Sequence, residues 1–248
     1  MASTSETGHA KNVANFEKLL TNVTGFGAVY NPSKESIKLP ALNALLATAK
    51  GAITDVNSAE PAYKNEVSAR ELAFKPFSKL ITRVNNSLKA SNSSSQVDDS
   101  AMTLVRKLQG RRSTPKMTEE EKQAAAAEGK EVNQSSSSQM SYDSRLDNFD
   151  KYIKLLISVT EYAPNEPELT TESLTTLYNV LSAKNTAVII AAVPLNTARI
   201  ARDQVLYAPL SGVVDISVDV KLYVKSVFGA TSPQLKLISK LEFKSVKS

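Results

Sequence analysis

Apolar residues recur along this chain in the rhythm of one-sided helices. Val13, Phe16, Leu19, Leu20 and Val23 are spaced three and four apart. They fall on one face of a helix predicted from about His9 to Thr24. "GFGAVYNPSKESIKLP" breaks the pattern through Gly25, Gly27 and the Asn31-Pro32 turn signal. A second, longer helix is predicted from near Pro40, which suits a first turn because no amide hydrogen is needed there. Leu42, Leu45, Leu46, Ala49, Ala52, Ile53 and Val56 continue the apolar stripe. Pro61 lacks an amide that the helix interior needs, so a kink or interruption is expected there. Helix resumes through Val67, Leu72 and Phe74. Pro76 opens a third helix, with Phe77, Leu80, Ile81, Val84 and Leu88 inward, and "SNSSSQ" closes it. A fourth is predicted from Val97 to Gln109, with Asp98 and Asp99 at its positive end and Gly110 just past its last turn.

The same order is then written again. "NFDKYIKLL" at Asn148 echoes "NFEKLL" at Asn15. Phe16 falls on Phe149 and Lys18 on Lys151. Tyr30, Pro32, Leu42 and Leu45 fall on Tyr162, Pro164, Leu174 and Leu177, one residue out of step. Pro61 falls on Pro194, and Pro76 on Pro209. Any one match is cheap, but their order and near-constant spacing predict a tandem duplication. The period is far longer than that of solenoid repeats, so each copy should be a small unit of about four helices. In the second copy, helices are expected at about Asp143 to Thr160, Glu172 to Tyr207 with a kink at Pro194, and Gly212 to Phe228. A last one is capped by Ser232 and opened by Pro233. "VVDISVDVKLYV" also admits a strand; helix is preferred because its counterpart after Pro76 is clearly helical. The expected fold is therefore all-α, with a first helical repeat over residues 1–110 and a second over 140–248. A duplicated self-associating unit would fuse naturally about a pseudo-twofold axis, since a twofold interface is self-complementary. One fused bundle is favoured over two independent domains.

Residues 111–139 separate the copies. "RRSTPKMTEEEKQAAAAEGKEVNQSSSSQ" has almost no large apolar side chains, so burial cannot offset the cost of ordering it. Thr118, Glu121 and the four alanines have the grammar of a short helix ended by Gly129, but about ten residues are marginal alone. A flexible linker is expected.

The longest apolar run is "AVIIAAVPL", Ala187 to Leu195. It falls well short of the ~20 residues that span a bilayer. It reads as the buried middle of a core helix, and no membrane span is expected. The start, "MASTSETGHAKN", has no apolar centre of a secretory signal, and a cytoplasmic location is expected.

Composition removes several chemistries. With no cysteine, disulfides, thiolate metal sites and cysteine catalysis are excluded. His9 is the only histidine, and it reads as an exposed or capping residue of the first turn. Helical di-metal sites need paired histidines or Glu-x-x-His, which cannot be built. Asp143, Asp147 and Asp150, and likewise Asp215 and Asp219, share helix faces. Without a glycine-bearing oxygen loop they read as solvated faces rather than a calcium site. No glycine-rich phosphate loop occurs. Tyr30, Tyr162, Phe74 and Tyr207 hold equivalent places in the two copies and read chiefly as core, with lining of a partner groove as the alternative.

The net charge is +5, spread as +4, 0 and +1 over residues 1–110, 111–139 and 140–248. The densest cationic cluster is Arg106, Lys107, Arg111, Arg112 and Lys116. It is the candidate contact for phosphates, but no aromatic residue interleaves it and the glutamates at 119–121 sit beside it. Lys236, Lys240, Lys244 and Lys247 form a thinner basic edge.

"ARIARDQVLYAPLSGVVDISVDVKLYVKSVFGATSPQ", Ala198 to Gln234, resembles a family of uncharacterised helical proteins from Bacteroidota, most specifically in "SVFGATSPQ". "MASTSETGHAKNVANFEKLL" is similar too. The resemblance implies a helical fold and no assigned activity, cofactor or catalytic residue. Its members run their long helices without a central proline, so Pro61 and Pro194 depart from the pattern. No enzymatic activity or cofactor is expected. The reading that follows is a structural, scaffold or protein-interaction protein open to self-assembly. The alternatives are a nucleic-acid-associated protein using the basic cluster, and a ligand site assembled only in three dimensions.

Overall fold

The computed structural model describes residues 7–111 and 140–245, so Arg112 to Gln139 of the expected linker lie outside the described residues. What is described is all-α. In chain order the helices are α1 (Thr7–Gly25), α2 (Leu39–Phe74), α3 (Phe77–Lys89), α4 (Ser95–Gln109), α5 (Tyr142–Ile157), α6 (Thr171–Tyr207), α7 (Val213–Phe228) and α8 (Pro233–Ser239). Short 3-10 turns precede α2 (Glu35–Ile37) and α6 (Pro167–Leu169). The "VVDISVDVKLYV" segment is helix α7, as preferred over a strand.

The compact units do not coincide with the two repeats expected from the sequence. One unit joins Met1–Lys64 with Ala191–Ser248, and the other is Asn65–Ile190. Each draws on both halves of the chain, because α2 and α6 each contribute to one unit at their start and to the other at their end.

In the first unit, the predicted stripe of α1 is buried: Phe16, Leu19 and Val23 are fully enclosed. They meet Leu42 and Ala49 of α2, Leu206 of α6, Val213, Ile216, Val220 and Val224 of α7, and Ile238 of α8. Each such valine, leucine, isoleucine or phenylalanine contributes roughly 1.5–3 kcal/mol by leaving water. Ser232 caps α8 by accepting from the Leu235 amide at 3.2 Å, with Pro233 in the first turn as expected. Gly212 precedes α7 where a Cβ would lie 2.7 Å from the Ala208 nitrogen, so only glycine fits that approach. His9 departs from expectation. It is buried, with Nδ1 2.7 Å from the Tyr207 hydroxyl, because α1 begins early enough to bring it inside the unit. Asn12 donates to the Lys244 carbonyl at 2.8 Å and accepts from the Lys244 amide at 3.1 Å. Asn15 donates to the Glu242 carbonyl at 2.8 Å. These side-chain amides hold the segment after α8 against α1 by satisfying backbone groups that no ladder serves.

In the second unit, Phe74, α3 (Phe77, Ile81, Val84, Leu88), α4 (Ala101, Val105, Leu108), α5 (Leu146, Phe149, Tyr152, Ile153, Leu156) and the start of α6 (Leu174, Leu181) share one core. Rings organise it: Phe77 and Phe149 meet edge to face at 4.8 Å, and Phe74 meets Tyr142 at 4.9 Å. Ser94 caps α4, and Gly110 ends it in the left-handed conformation at φ 66°.

One bond recurs in both units. The Tyr30 hydroxyl donates to the Ile37 carbonyl at 2.7 Å, and the Tyr162 hydroxyl to the Leu169 carbonyl at 2.6 Å. Each tyrosine is buried seven residues before its acceptor and latches the loop that leads into a long helix. With Phe74 also enclosed, these three aromatics are core, as read, while Tyr207, read with them, is only half-buried.

Neither proline interrupts its helix. Pro61 lies inside α2 and Pro194 inside α6, and both helices run on through them. Both prolines are exposed. The carbonyls four residues back, on exposed Asn57 and Ile190, lose their helical donors where water can reach that face.

Candidate functional site

The expected basic cluster is only partly visible. Arg106 and Lys107 are exposed in the last turn of α4, and Arg111 is exposed just beyond it, with its amide donating to the Arg106 carbonyl at 2.8 Å. Cations gather at that end of a helix because they complement its unpaired carbonyls. Arg112 and Lys116 lie outside the described residues. In the second basic edge, Lys236, Lys240 and Lys244 are exposed, while Lys247 lies outside them.

The aspartate stripes are engaged elsewhere. Asp147 pairs with Lys151 and Asp150 with Lys154, each at 2.6 Å on the surface of α5. Asp219 pairs with Lys34 at 2.6 Å, and Asp215 accepts from the Leu210 amide at 2.8 Å. Among the described residues no group of three or more acidic or histidine side chains is placed to hold a metal.

The run "AVIIAAVPL" corrects its expectation. Val188 and Leu195 are buried, but Ile189 is 58% exposed, Ile190 65% and Val193 60%. Ile200, further along α6, is 72% exposed. At helical spacing Ile189, Val193 and Ile200 lie close to one line, with Ile190 beside it. The run is apolar on both sides, yet the core takes only one. From Asn185 to Ala198 no residue is charged. By length and composition α6 is also the one helix among the described residues able to cross a membrane, with a mean hydropathy of 1.2 over its most apolar window. Its inner face is committed to protein, since Leu174, Leu181, Leu195 and Leu206 are fully or almost fully enclosed.

A second feature lies wholly within the unit Asn65–Ile190. The last turns of α2 and the first turn of α5 border an open groove of about 570 Å³. Ser141 caps α5 by accepting from the Ser144 amide at 3.1 Å, which sets Tyr142 and Arg145 one turn apart on the groove side. The Arg145 guanidinium lies 4.8 Å from the Phe74 ring centre and 5.1 Å from that of Phe77. Burial lowers its pKa from the ordinary arginine value, against an opposing influence of Tyr142. Arg70 lies 3.8 Å over the Tyr142 ring and donates to Asn185 Oδ1 at 2.9 Å. Asn185 in turn donates to Asp143 at 2.8 Å, so Arg70 reaches a carboxylate through an amide. Arg145 has no such outlet: no carboxylate among the described residues pairs with it, and its Nε is buried without an acceptor. Lys75, Glu71 and Leu72 complete the rim.

Sequence reasoning singled out none of these arginines. They are isolated in the chain, and the groove appears only when α2 and α5 are brought together. No family model matches the chain, and neither a curated protein nor a solved structure matches it.

Proposed function

We propose that this is a non-catalytic helical protein that works by self-association, and that the outer face of α6 is its interface. The observation that carries the reading is the exposure of Ile189, Ile190 and Val193 on a stretch of helix without charge, with Ile200 exposed just beyond it. An apolar patch of this kind costs free energy in water and is covered in the working state. An uncharged face offers nothing for an acidic or basic partner to complement. A second copy brings the same apolar face, and twofold packing of like on like needs no other component. The proposal includes the tandem duplication. Its support is the paired tyrosine bonds and the prolines at matching places in α2 and α6.

Light-scattering mass after size exclusion tests this over a concentration series. The expected result is a mass near twice 26.8 kDa, returning to the single-chain value when Ile190 and Val193 are both replaced by glutamate. A single-chain mass for the unmodified protein at high concentration sinks the proposal. Absorbance at 260 and 280 nm in the same run tests the alternative of phosphate binding. That reading is favoured only by the exposure of Arg106, Lys107 and Arg111 together at the end of α4. With no tryptophan in the chain, slight nucleic-acid carry-over is visible, and it would fall with salt.

A further inference from the structure

The groove between the end of α2 and the start of α5 holds a cation, Arg145, with which no carboxylate among the described residues pairs. A half-buried guanidinium without a carboxylate partner is costly, because it has given up water and received no opposite charge. The Phe74 and Phe77 rings return part of that cost through their electron-rich faces. They cannot accept the directed N–H bonds that a carboxylate accepts. Lys75 on the rim adds a second positive charge and Glu71 a single negative one, so Arg145 leaves the rim net positive. The remaining walls are apolar or aromatic, from Leu72, Phe74 and Tyr142. Leu72 is 67% exposed, too much for a residue whose only role is packing.

We propose that this groove binds a carboxylate carried on a small apolar body, with Arg145 receiving the carboxylate and Leu72 and Tyr142 receiving the body. A planar carboxylate matches the guanidinium fork, and the apolar walls reward a hydrocarbon body over a bare anion. Arg70 acts behind the site, holding the Tyr142 ring in place through its stacking and its bond to Asn185. This site is independent of the α6 face and of any self-association.

The test is a two-dimensional ¹H–¹⁵N NMR titration of the full chain with phenylacetate, which joins a carboxylate to one aromatic ring. Saturable shifts are expected at the Arg145 Nε–H and at the amides of Leu72, Lys75 and Tyr142, with Gly229 unmoved. Phenylacetamide, which keeps the ring and loses the charge, should bind at least about tenfold more weakly, as should the Arg145→Gln variant. Because Arg145 also touches the core, Lys75→Gln provides an exposed second variant, expected to weaken binding roughly threefold. Inorganic phosphate should bind more weakly than phenylacetate. Absence of saturable shifts overturns the proposal, as does equal binding of phenylacetamide or of phosphate. Unchanged affinity in both variants also overturns it.

Discussion

The long helices α2 and α6 are built alike and finished differently. Both follow a tyrosine-latched loop, both carry an internal proline, and both begin with a fully enclosed leucine, Leu42 in one and Leu174 in the other. Their outer faces part company in the middle. Near Pro61 the exposed residues of α2 include Asn57, Ser58, Ala62, Lys64 and Asn65, with no large apolar side chain among them. Near Pro194 the exposed residues of α6 include Ile189, Ile190 and Val193, alongside Thr186, Asn196 and Thr197. Fold alone does not require the difference, since α2 shows that a solvated polar face supports the same kind of helix. Holding isoleucine in water gains nothing for a helix whose inner side is already buried. The contrast therefore points to α6 as the face with work to do beyond folding.

The comparison breaks first at the inner faces if they are not equivalent. Leu42→Ala and Leu174→Ala each empty a fully enclosed site, and each should cost about 2–5 kcal/mol of unfolding free energy. Urea denaturation followed by circular dichroism measures both. Losses that match within about 1 kcal/mol support a common inner design. A tolerant site on one helix alone would show that the resemblance stops at sequence.

The prolines come next in size. Alanine at position 61 or 194 restores a backbone amide to a helix that already runs through the site. The gain is partly offset by a freer unfolded chain, leaving about 1–2 kcal/mol of added stability in each variant. Equal gains would mean that both prolines are simply tolerated. Pro194→Ala acts like Pro61→Ala only if the exposed Ile190 carbonyl has no further use; altered self-association in Pro194→Ala alone, read by light scattering, would tie that proline to the α6 face.

How much of this was legible beforehand follows from what is local. The stripe of α1, the caps at Ser232 and Gly110, and the all-α class each depend on residues within a turn or two, and the hydrophobic period shows them. The exposed isoleucines were misread because "AVIIAAVPL" is apolar on every side, and period cannot say which side the core takes. His9 was misread because its partner Tyr207 is far along the chain. The division into units escaped for the same reason: α2 and α6 each run on from one unit into the other. The groove was illegible, since Arg70, Phe74 and Arg145 have no common motif and meet only through the packing of α5 on the end of α2.

The smallest effect concerns the two latches. Burial, then Glu166, raises the Tyr162 pKa from 10.0 to about 12. Burial, then Tyr223, raises that of Tyr30 as well. A raised tyrosine pKa means that the folded state favours the neutral hydroxyl, which alone can donate to the Leu169 or Ile37 carbonyl. The unfolded chain ionises first, near pH 10. The contribution is thus complete below pH 10 and is lost as pH climbs toward and through 12. Tyr162→Phe removes the bond and should cost about 1 kcal/mol at pH 8. The same variant should narrow the gap between urea midpoints at pH 8 and pH 11, because one group that couples unfolding to ionisation is gone. Tyr30→Phe should behave likewise if the latches are equivalent. An unchanged gap in Tyr162→Phe would show that this hydroxyl does not link folding to pH. A narrowing in one variant alone would make the two loops, like the two helix faces, similar in form and different in use.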